Sequence, residues 1–160
     1  KNRESITAQS LLEGDDTELM KNFFYHFWKK RYPLDPFFAW NNYLKVVEKV
    51  NEEFDNGSIP GYKTDRGRIY LQYGAPNSRV VNNFSTEHER FEVWHYYKID
   101  HQSNCRFVFS GKNRGTDMSL VLSNVDGEVT DTEWLMRFGE SLNQPNFDPQ
   151  SPIDYFINPR

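Results

Sequence analysis

The segment Phe91-Glu-Val-Trp-His-Tyr-Tyr-Lys98 is the most informative about the fold, because it has the pattern of an extended chain with large side chains on both of its faces. Successive side chains of a β-strand point to opposite sides of the sheet. Since rings occur on both sides here, we expect both faces of the sheet to be at least partly covered. The predicted faces are Phe91, Val93, His95 and Tyr97 on one side, and Glu92, Trp94 and Tyr96 on the other.

Further segments on either side of this stretch have the same two-residue period. They are separated by short connections rich in Gly, Asn, Asp and Pro, which favour turns. Parallel strands need crossovers of a dozen or more residues, so connections this short predict antiparallel neighbours. The sequence therefore predicts an antiparallel meander of about five strands, at residues 68–73, 79–81, 91–98, 105–110 and 118–123.

The N-terminal part of the chain has a different period. Apolar residues recur at steps of three and four over residues 17–31 and 36–55, which is typical of amphipathic helices. Asp16 precedes the first helix, and Asp35 with Pro36 forms an N-cap followed by a first-position proline. We predict an α+β fold in which these two helices pack on the sheet and bury their aromatic residues.

The chain has 160 residues, the size of one domain, and it contains 13 Phe, 9 Tyr and 4 Trp. Ring packing is therefore expected to supply much of the core. We predict one α+β domain over residues 1–144. Four prolines within residues 145–160 predict an irregular tail, either ordered or the start of a linker, with Tyr155 and Phe156 as its anchors.

Several chemistries are absent from the sequence. A net charge of −4 argues against nucleic-acid binding, and no apolar run approaches the ~20 residues that span a bilayer. Cys105 is the single cysteine, so it forms no intramolecular disulfide and reads as a small buried hydrophobe. No metal or cofactor is predicted, because the histidines lack ligand spacing and the acidic series lacks a calcium-loop pattern and reads as a solvated turn. These residues are His26, His88, His95 and His101, and Asp126, Glu128, Asp131 and Glu133.

The densest motif is Gly61-Tyr-Lys-Thr-Asp-Arg-Gly67. The overlapping stretch Gly57-Ser-Ile-Pro-Gly-Tyr-Lys-Thr64 has the wrong glycine spacing and context for a phosphate-binding loop. The first interpretation is structural: the glycines adopt backbone angles closed to other residues, and Asp65 bonds amides of its own turn or pairs with an arginine. In the same interpretation Arg66 or Arg68 forks onto a carboxylate. The alternative is a recognition site with a ring platform one strand away. The candidate residues are Gly61, Tyr62, Thr64, Asp65, Arg66, Gly67, Trp94 and Tyr96.

Together these motifs resemble the GWxTD domain, a bacterial domain of unknown function named for a Gly-Trp-x-Thr-Asp signature. The resemblance runs from about residue 18 to about residue 135, and Tyr62 stands where the family name has Trp. It implies a C-terminal module of a larger exported protein, located outside the cytoplasm in the periplasm, and it implies no reaction. The matching segments are Phe27-Trp-Lys-Lys-Arg31, Gly61–Gly67, Tyr73-Gly-Ala-Pro76 and Phe91-Glu-Val-Trp94.

Three classes of function follow from these observations. The leading hypothesis is a non-catalytic protein-interaction module whose partner is an envelope protein or an N-terminal region preceding Lys1, docked on the tail or on a strand edge. The second is a carbohydrate or peptidoglycan binder that uses exposed aromatic residues. The third is a hydrolase centred on Asp65, with Glu92 or His95 as its second group.

Overall fold

The computed structural model describes residues 3–14, 16–82, 90–111, 118–134, 136 and 152–157. The chain divides into two compact units, Lys1–Val47 and Glu48–Arg160. The boundary falls inside a helix that contributes its first turns to one unit and its last turns to the other. One domain over residues 1–144 stays a prediction.

The first unit contains α1 (Arg3–Glu13), α2 (Thr17–Arg31) and the start of α3 (Pro36–Phe54). Both helices predicted from the period are confirmed. Asp16 Oδ1 accepts the amides of Glu18 and Leu19 at 3.1 and 3.0 Å, and Asp35 Oδ1 accepts that of Phe38 at 2.8 Å. These carboxylates cap the two helices, as Asp does at an N-terminus.

Helix α1 was not predicted, because residues 1–14 are polar and have no apolar period in the sequence. Its Glu4 pairs with Arg31 at the end of α2, with Arg31 Nη2 and Glu4 Oε2 2.7 Å apart. Arg31 lies 27 residues from Glu4 in the sequence, so local periodicity cannot indicate this contact.

The second unit contains the last turns of α3, a 3-10 helix at Gly61–Lys63, α4 (Asp65–Tyr73) and an antiparallel sheet. The strand predicted at residues 68–73 was wrong, because α4 occupies it. Two boundary signals mark this helix in the sequence: Thr64 caps its start and Gly74, at φ +81°, ends it. Ile69, Leu71 and Tyr73 alternate with other residues over only six positions. This short alternation was the reason for the wrong strand prediction.

Within the described residues the sheet has four strands in the order β1-β2-β3-β4, all antiparallel, so the meander is confirmed there with one strand fewer than predicted. A two-residue turn joins β2 to β3, with Asp100 at φ +49° and Ile99 opposite Gln102. The register between β3 and β4 shifts after Val108, which is a β-bulge. The strands are Ser78–Asn82, Arg90–Ile99, Gln102–Gly111 and Ser119–Ser123.

Each face of the sheet carries its own apolar cluster, as the alternation predicted. On one face the rings of Trp94 and Phe109 meet at 4.9 Å, under α4 and the last turns of α3. The residues of α3 in this cluster are Val50 and Phe54, whereas α2 has no buried residue. The helices that pack on this face of the sheet are therefore α4 and the end of α3, and not both of the helices that were predicted to do so.

The tail is not wholly irregular, because Pro152–Ile157 forms a short helix, α5. Pro152 stands at its first position, where a missing N–H costs nothing, so the proline that argued against a helix begins one. Residues 145–151 and 158–160 of the predicted tail, and His88, lie outside the described residues. Within the described parts of the chain, no helix is long and apolar enough to cross a membrane.

Candidate functional site

The junction between α3, the 3-10 helix and α4 is built from the Gly61–Gly67 motif. Thr64 lies at its centre and is buried. Its Oγ1 donates to the carbonyl of Gly61 at 2.7 Å and accepts the amide of Gly67 at 3.1 Å. The amide of Tyr62 donates to Asn51 Oδ1 of α3 at 2.9 Å. The motif thus fixes three consecutive helices to one another.

The two glycines of the motif are required for close approach and not for unusual backbone angles, so the predicted reason was wrong. Neither Gly61 nor Gly67 has a positive φ. A Cβ on Gly61 would lie 2.3 Å from the carbonyl oxygen of Val50, and one on Gly67 would lie 1.9 Å from the carbonyl oxygen of Gly61. Backbone therefore contacts backbone where side chains would normally separate the helices.

Asp65 occupies the first turn of α4, where a carboxylate suits the positive end of the helix dipole. Its Oδ2 accepts the backbone amide of Leu120 in β4 at 2.8 Å. No amide of its own turn donates to it, whereas the predicted arginine contact is present as a charge interaction with Arg68. The contact with Leu120 satisfies an amide of the edge strand next to the bulge, and it links α4 to the sheet.

A buried carboxylate, Glu92, lies on the sheet face beneath this junction. Its side chain is 1% exposed, and it accepts three donors from different parts of the unit. Arg66 Nη1 donates to Oε2 at 3.2 Å, Trp94 Nε1 donates to Oε1 at 2.6 Å, and Arg79 Nε also donates to Oε1. Arg79 in turn reaches Glu53 of α3. Both arginine headgroups lie over the ring of Phe54, at 5.2 and 5.5 Å.

A second carboxylate cluster joins α4 to the turn after β4. Arg68 forks onto Glu128 at 2.7 and 3.0 Å, as predicted for one of the two arginines, and the Tyr73 hydroxyl donates to the same carboxylate at 2.8 Å. The side chain of Glu128 is only 7% exposed, so the predicted solvated turn was wrong there. The hydrogen bonds from Arg68 lower the pKa of Glu128, and burial with the Glu128 contact raises the pKa of Tyr73 to about 12.

The proposed ring platform is not exposed. Trp94 and Tyr96 belong to the apolar cluster under α4, and both are buried. The Tyr96 hydroxyl donates to the carbonyl of Gly74 at 2.8 Å, and burial raises its pKa. Tyr62 is the exposed ring of the motif, at 43%, with Lys63 Nζ 5.7 Å from its centre.

Each of the three groups of the hydrolase hypothesis is engaged by other partners. Asp65 bonds the β4 amide, Glu92 is enclosed by its donors, and His95 points to the opposite sheet face, where its Nε2 lies 2.8 Å from Asn104 Oδ1. Among the described residues, no three His, Cys, Asp or Glu side chains form a cluster that could hold a metal ion. Cys105 is buried in the core, as its sequence context predicts.

Comparison with known families identifies this architecture. The model of the GWxTD domain matches residues 8–127, three quarters of the chain. The chain belongs to the GWxTD domain family. No curated protein and no solved structure matches it. In this GWxTD domain the signature residues form the helical junction described above, and the matched region ends before Trp134 and α5.

The first unit of this GWxTD domain carries several exposed aromatic side chains. In its described residues no apolar side chain is buried, contrary to the prediction that both helices bury their rings. Trp28 of α2 contacts two rings of α3, with Trp40 at 5.9 Å and Tyr43 at 5.5 Å. Two grooves of about 590 and 550 Å³ share Trp28 as a wall. Phe37 lines the first groove and Phe38 the second, and they are 68% and 64% exposed.

The tail residues of this GWxTD domain contact its own sheet. Tyr155 and Phe156 are partly buried against the second sheet face, and the ring of Tyr155 lies 6.2 Å from that of Phe91. Arg106 of β3 donates to the carbonyl of Phe156 and, at 3.3 Å, to that of Ile157. Tyr155 and Phe156, which were expected to contact a partner, therefore contact this chain's own sheet.

Proposed function

We propose that this GWxTD domain binds another protein through the aromatic surface of its first unit, without catalysis. The observation that carries the proposal is the exposure of Phe37, Phe38 and Leu34 beside two apolar grooves. Large contiguous apolar surface on a folded protein marks an interaction site, and aromatic residues are enriched at the centres of interfaces.

The surface has the chemistry of a protein-binding groove between two helices. Phe24, Tyr25 and Trp28 of α2 face Phe37 and Trp40 of α3 across the first groove. The charged residues at its rim, Glu18 and Lys21, already pair with each other at 2.9 Å. An apolar helix laid between such walls would bury the rings without leaving a charge unpaired.

The location is part of the same proposal. The family resemblance supports a module of an exported bacterial protein that acts in the envelope. Fractionation of cells that express the native gene tests this, with recovery in the periplasmic or envelope fraction as the expected result. Recovery in the cytosol alone would contradict the location and leave the binding surface to its own test.

The binding surface is tested with the double substitution Phe37→Ser/Phe38→Ser. A matched control is Tyr97→Ser, which removes another exposed ring, 65% exposed, in the second unit. Proteins captured from envelope extracts are purified and titrated against all three forms. A partner that binds the wild type and the control with equal affinity, and binds the double variant at least 10-fold more weakly, supports the proposal.

Three results overturn it. Equal affinity of the partner for the double variant and the control places binding elsewhere. Sedimentation with purified peptidoglycan that Phe37→Ser/Phe38→Ser abolishes favours the carbohydrate binder, and turnover of a peptidoglycan or peptide substrate favours the hydrolase. Circular dichroism confirms that each variant is folded; both rings are exposed, so little stability should be lost.

A further inference from the structure

The second face of the sheet is apolar and is covered by residues outside the family match. Its cluster contains aliphatic side chains from β2, β3 and β4 together with Phe91 and Trp134. The matched region ends at Gly127, whereas Trp134 and α5 follow it. The family-matched part of the chain therefore presents an apolar face, and later segments supply its cover. The aliphatic members are Val93, Val108, Val121 and Leu122.

Helix α5 contacts this face in two ways. Tyr155 and Phe156, adjacent in sequence, pack against the apolar cluster. Arg106 lies with its guanidinium 5.8 Å from the centre of the Phe156 ring and donates to the carbonyls of Phe156 and Ile157. The last carbonyls of a helix have no partner within it and carry the negative end of its dipole, so a guanidinium complements them in charge and geometry.

The helix depends on this contact. Six residues are far fewer than the roughly 12 to 15 that an isolated helix needs to persist in water. Its order therefore comes from docking. Tyr155 and Phe156 remain partly exposed and Ile157 is 57% exposed, so α5 lies on the face and is not enclosed by it.

We propose that this sheet face is a binding site for a short helix, that α5 fills it in the isolated chain, and that a partner helix ending in two adjacent aromatic residues replaces α5. The surface is distinct from the aromatic grooves of the first unit, so it goes beyond the function proposed above. Arg106 donates hydrogen bonds to the last carbonyls of the incoming helix, and the two rings of that helix pack against Phe91 and the aliphatic cluster. A tethered segment has an effective concentration in the millimolar range, so α5 protects the site until a partner outcompetes it.

The test uses the full chain and a fluorescent peptide with the sequence of residues 150–160. The substitution Tyr155→Ala/Phe156→Ala weakens α5 and opens the site. By fluorescence anisotropy, we expect the peptide to bind this variant at least 10-fold more tightly than it binds the wild type. A peptide with alanine at both ring positions should not bind. Adding Arg106→Gln to the opened chain should weaken binding about 10-fold, whereas adding Lys98→Gln, an exposed cation of β2, should not.

Hydrogen exchange supplies a second measurement on the unmodified protein. Amides of α5 should exchange at least 100-fold faster than those of Val93 and Val108, because α5 opens while the sheet stays closed. Equal protection of α5 and the sheet would overturn the proposal, as would a peptide that binds no chain or binds every chain equally. If Tyr155→Ala/Phe156→Ala fails to fold, α5 is part of the core and the proposal is wrong. None of these outcomes involves Phe37 or Phe38.

Discussion

At the scale of single residues, the glycines of the Gly61–Gly67 motif matter because they have no Cβ. Gly67 lies inside α4, where alanine ordinarily stabilises a helix by about 1 kcal/mol. That gain is opposed by a Cβ placed 1.9 Å from the carbonyl oxygen of Gly61, which is rigid backbone. The overlap is large enough to force the helices apart. The steric cost therefore exceeds the gain in helix propensity, and the net effect of Gly67→Ala is a loss of stability.

We therefore predict that Gly67→Ala destabilises the protein by ~3 kcal/mol or more, the cost of severe overpacking. Urea denaturation measures the change. Gly14→Ala is the matched control, because its Cβ would meet its nearest neighbour at 3.4 Å and its φ is not positive. A Gly67→Ala variant as stable as the control would show that the junction yields, and that the motif glycines have another role.

Glu92 illustrates the cost of removing a buried negative charge from its donors. Arg66, Arg79 and the Trp94 N–H all donate to this carboxylate, and the charge that attracts them is lost when the carboxylate becomes an amide. We predict that Glu92→Gln lowers the free energy of unfolding by about 3 to 5 kcal/mol, as when one member of a buried pair is removed. Glu53→Gln, at the exposed end of the same chain of charges, should cost about 1 kcal/mol or less.

Chemical denaturation of both variants checks the order of these costs. A loss for Glu92→Gln no larger than that for Glu53→Gln would mean that the buried carboxylate is not needed for stability. It would then be a candidate functional group, and the hydrolase hypothesis would regain its second carboxylate.

At the scale of elements, Asp65 connects α4 to the edge strand β4. Replacing it with alanine leaves the amide of Leu120 without its acceptor, at a cost of about 1 to 3 kcal/mol. We predict this loss for Asp65→Ala, together with faster hydrogen exchange at the Leu120 amide. Asp126→Ala is the control, since Asp126 has a 77% exposed side chain. Unchanged stability with loss of binding would make Asp65 a recognition residue instead.

At the scale of the whole molecule, acid should weaken the second unit through Glu128. Its pKa is below the ordinary 4.5, because Arg68 and then Tyr73 donate to it, so the unfolded chain takes up a proton more readily than the folded one. The stability that it contributes is present above pH 4.5 and is lost as pH falls through the lower folded value. The contribution is about 1 kcal/mol, since Arg68 is 40% exposed.

The measurement is urea denaturation of the wild type and Glu128→Gln between pH 7 and pH 3. We expect the variant to be less stable at pH 7, and the difference to shrink as the pH falls below 4.5. Glu18→Gln removes an exposed pair and should show no such convergence. A constant difference at every pH would show that the charge of Glu128 does not carry the effect.

The elements whose signals are local could be predicted from the sequence. The helices at Thr17–Arg31 and Pro36–Phe54, the strands β1 to β4 and their two apolar faces follow from periods of 3.6 and 2 and from the caps Asp16 and Asp35. The motif residues were also recognisable, because the family pattern spans consecutive positions.

The contacts that those residues make could not be predicted from the sequence, because they depend on the folded chain. Asp65 and Leu120, and Arg68 and Glu128, meet across 55 and 60 residues, which no local pattern encodes. The sequence around Trp94 looks the same whether its ring is an exposed binding platform or part of the core. The structure shows that the ring is buried. The six-residue alternation that imitated a strand became α4, because a cap and packing against the sheet outweigh so short a period. Exposure of the first unit was likewise invisible, since an amphipathic period shows which side chains share a face and not whether anything covers it.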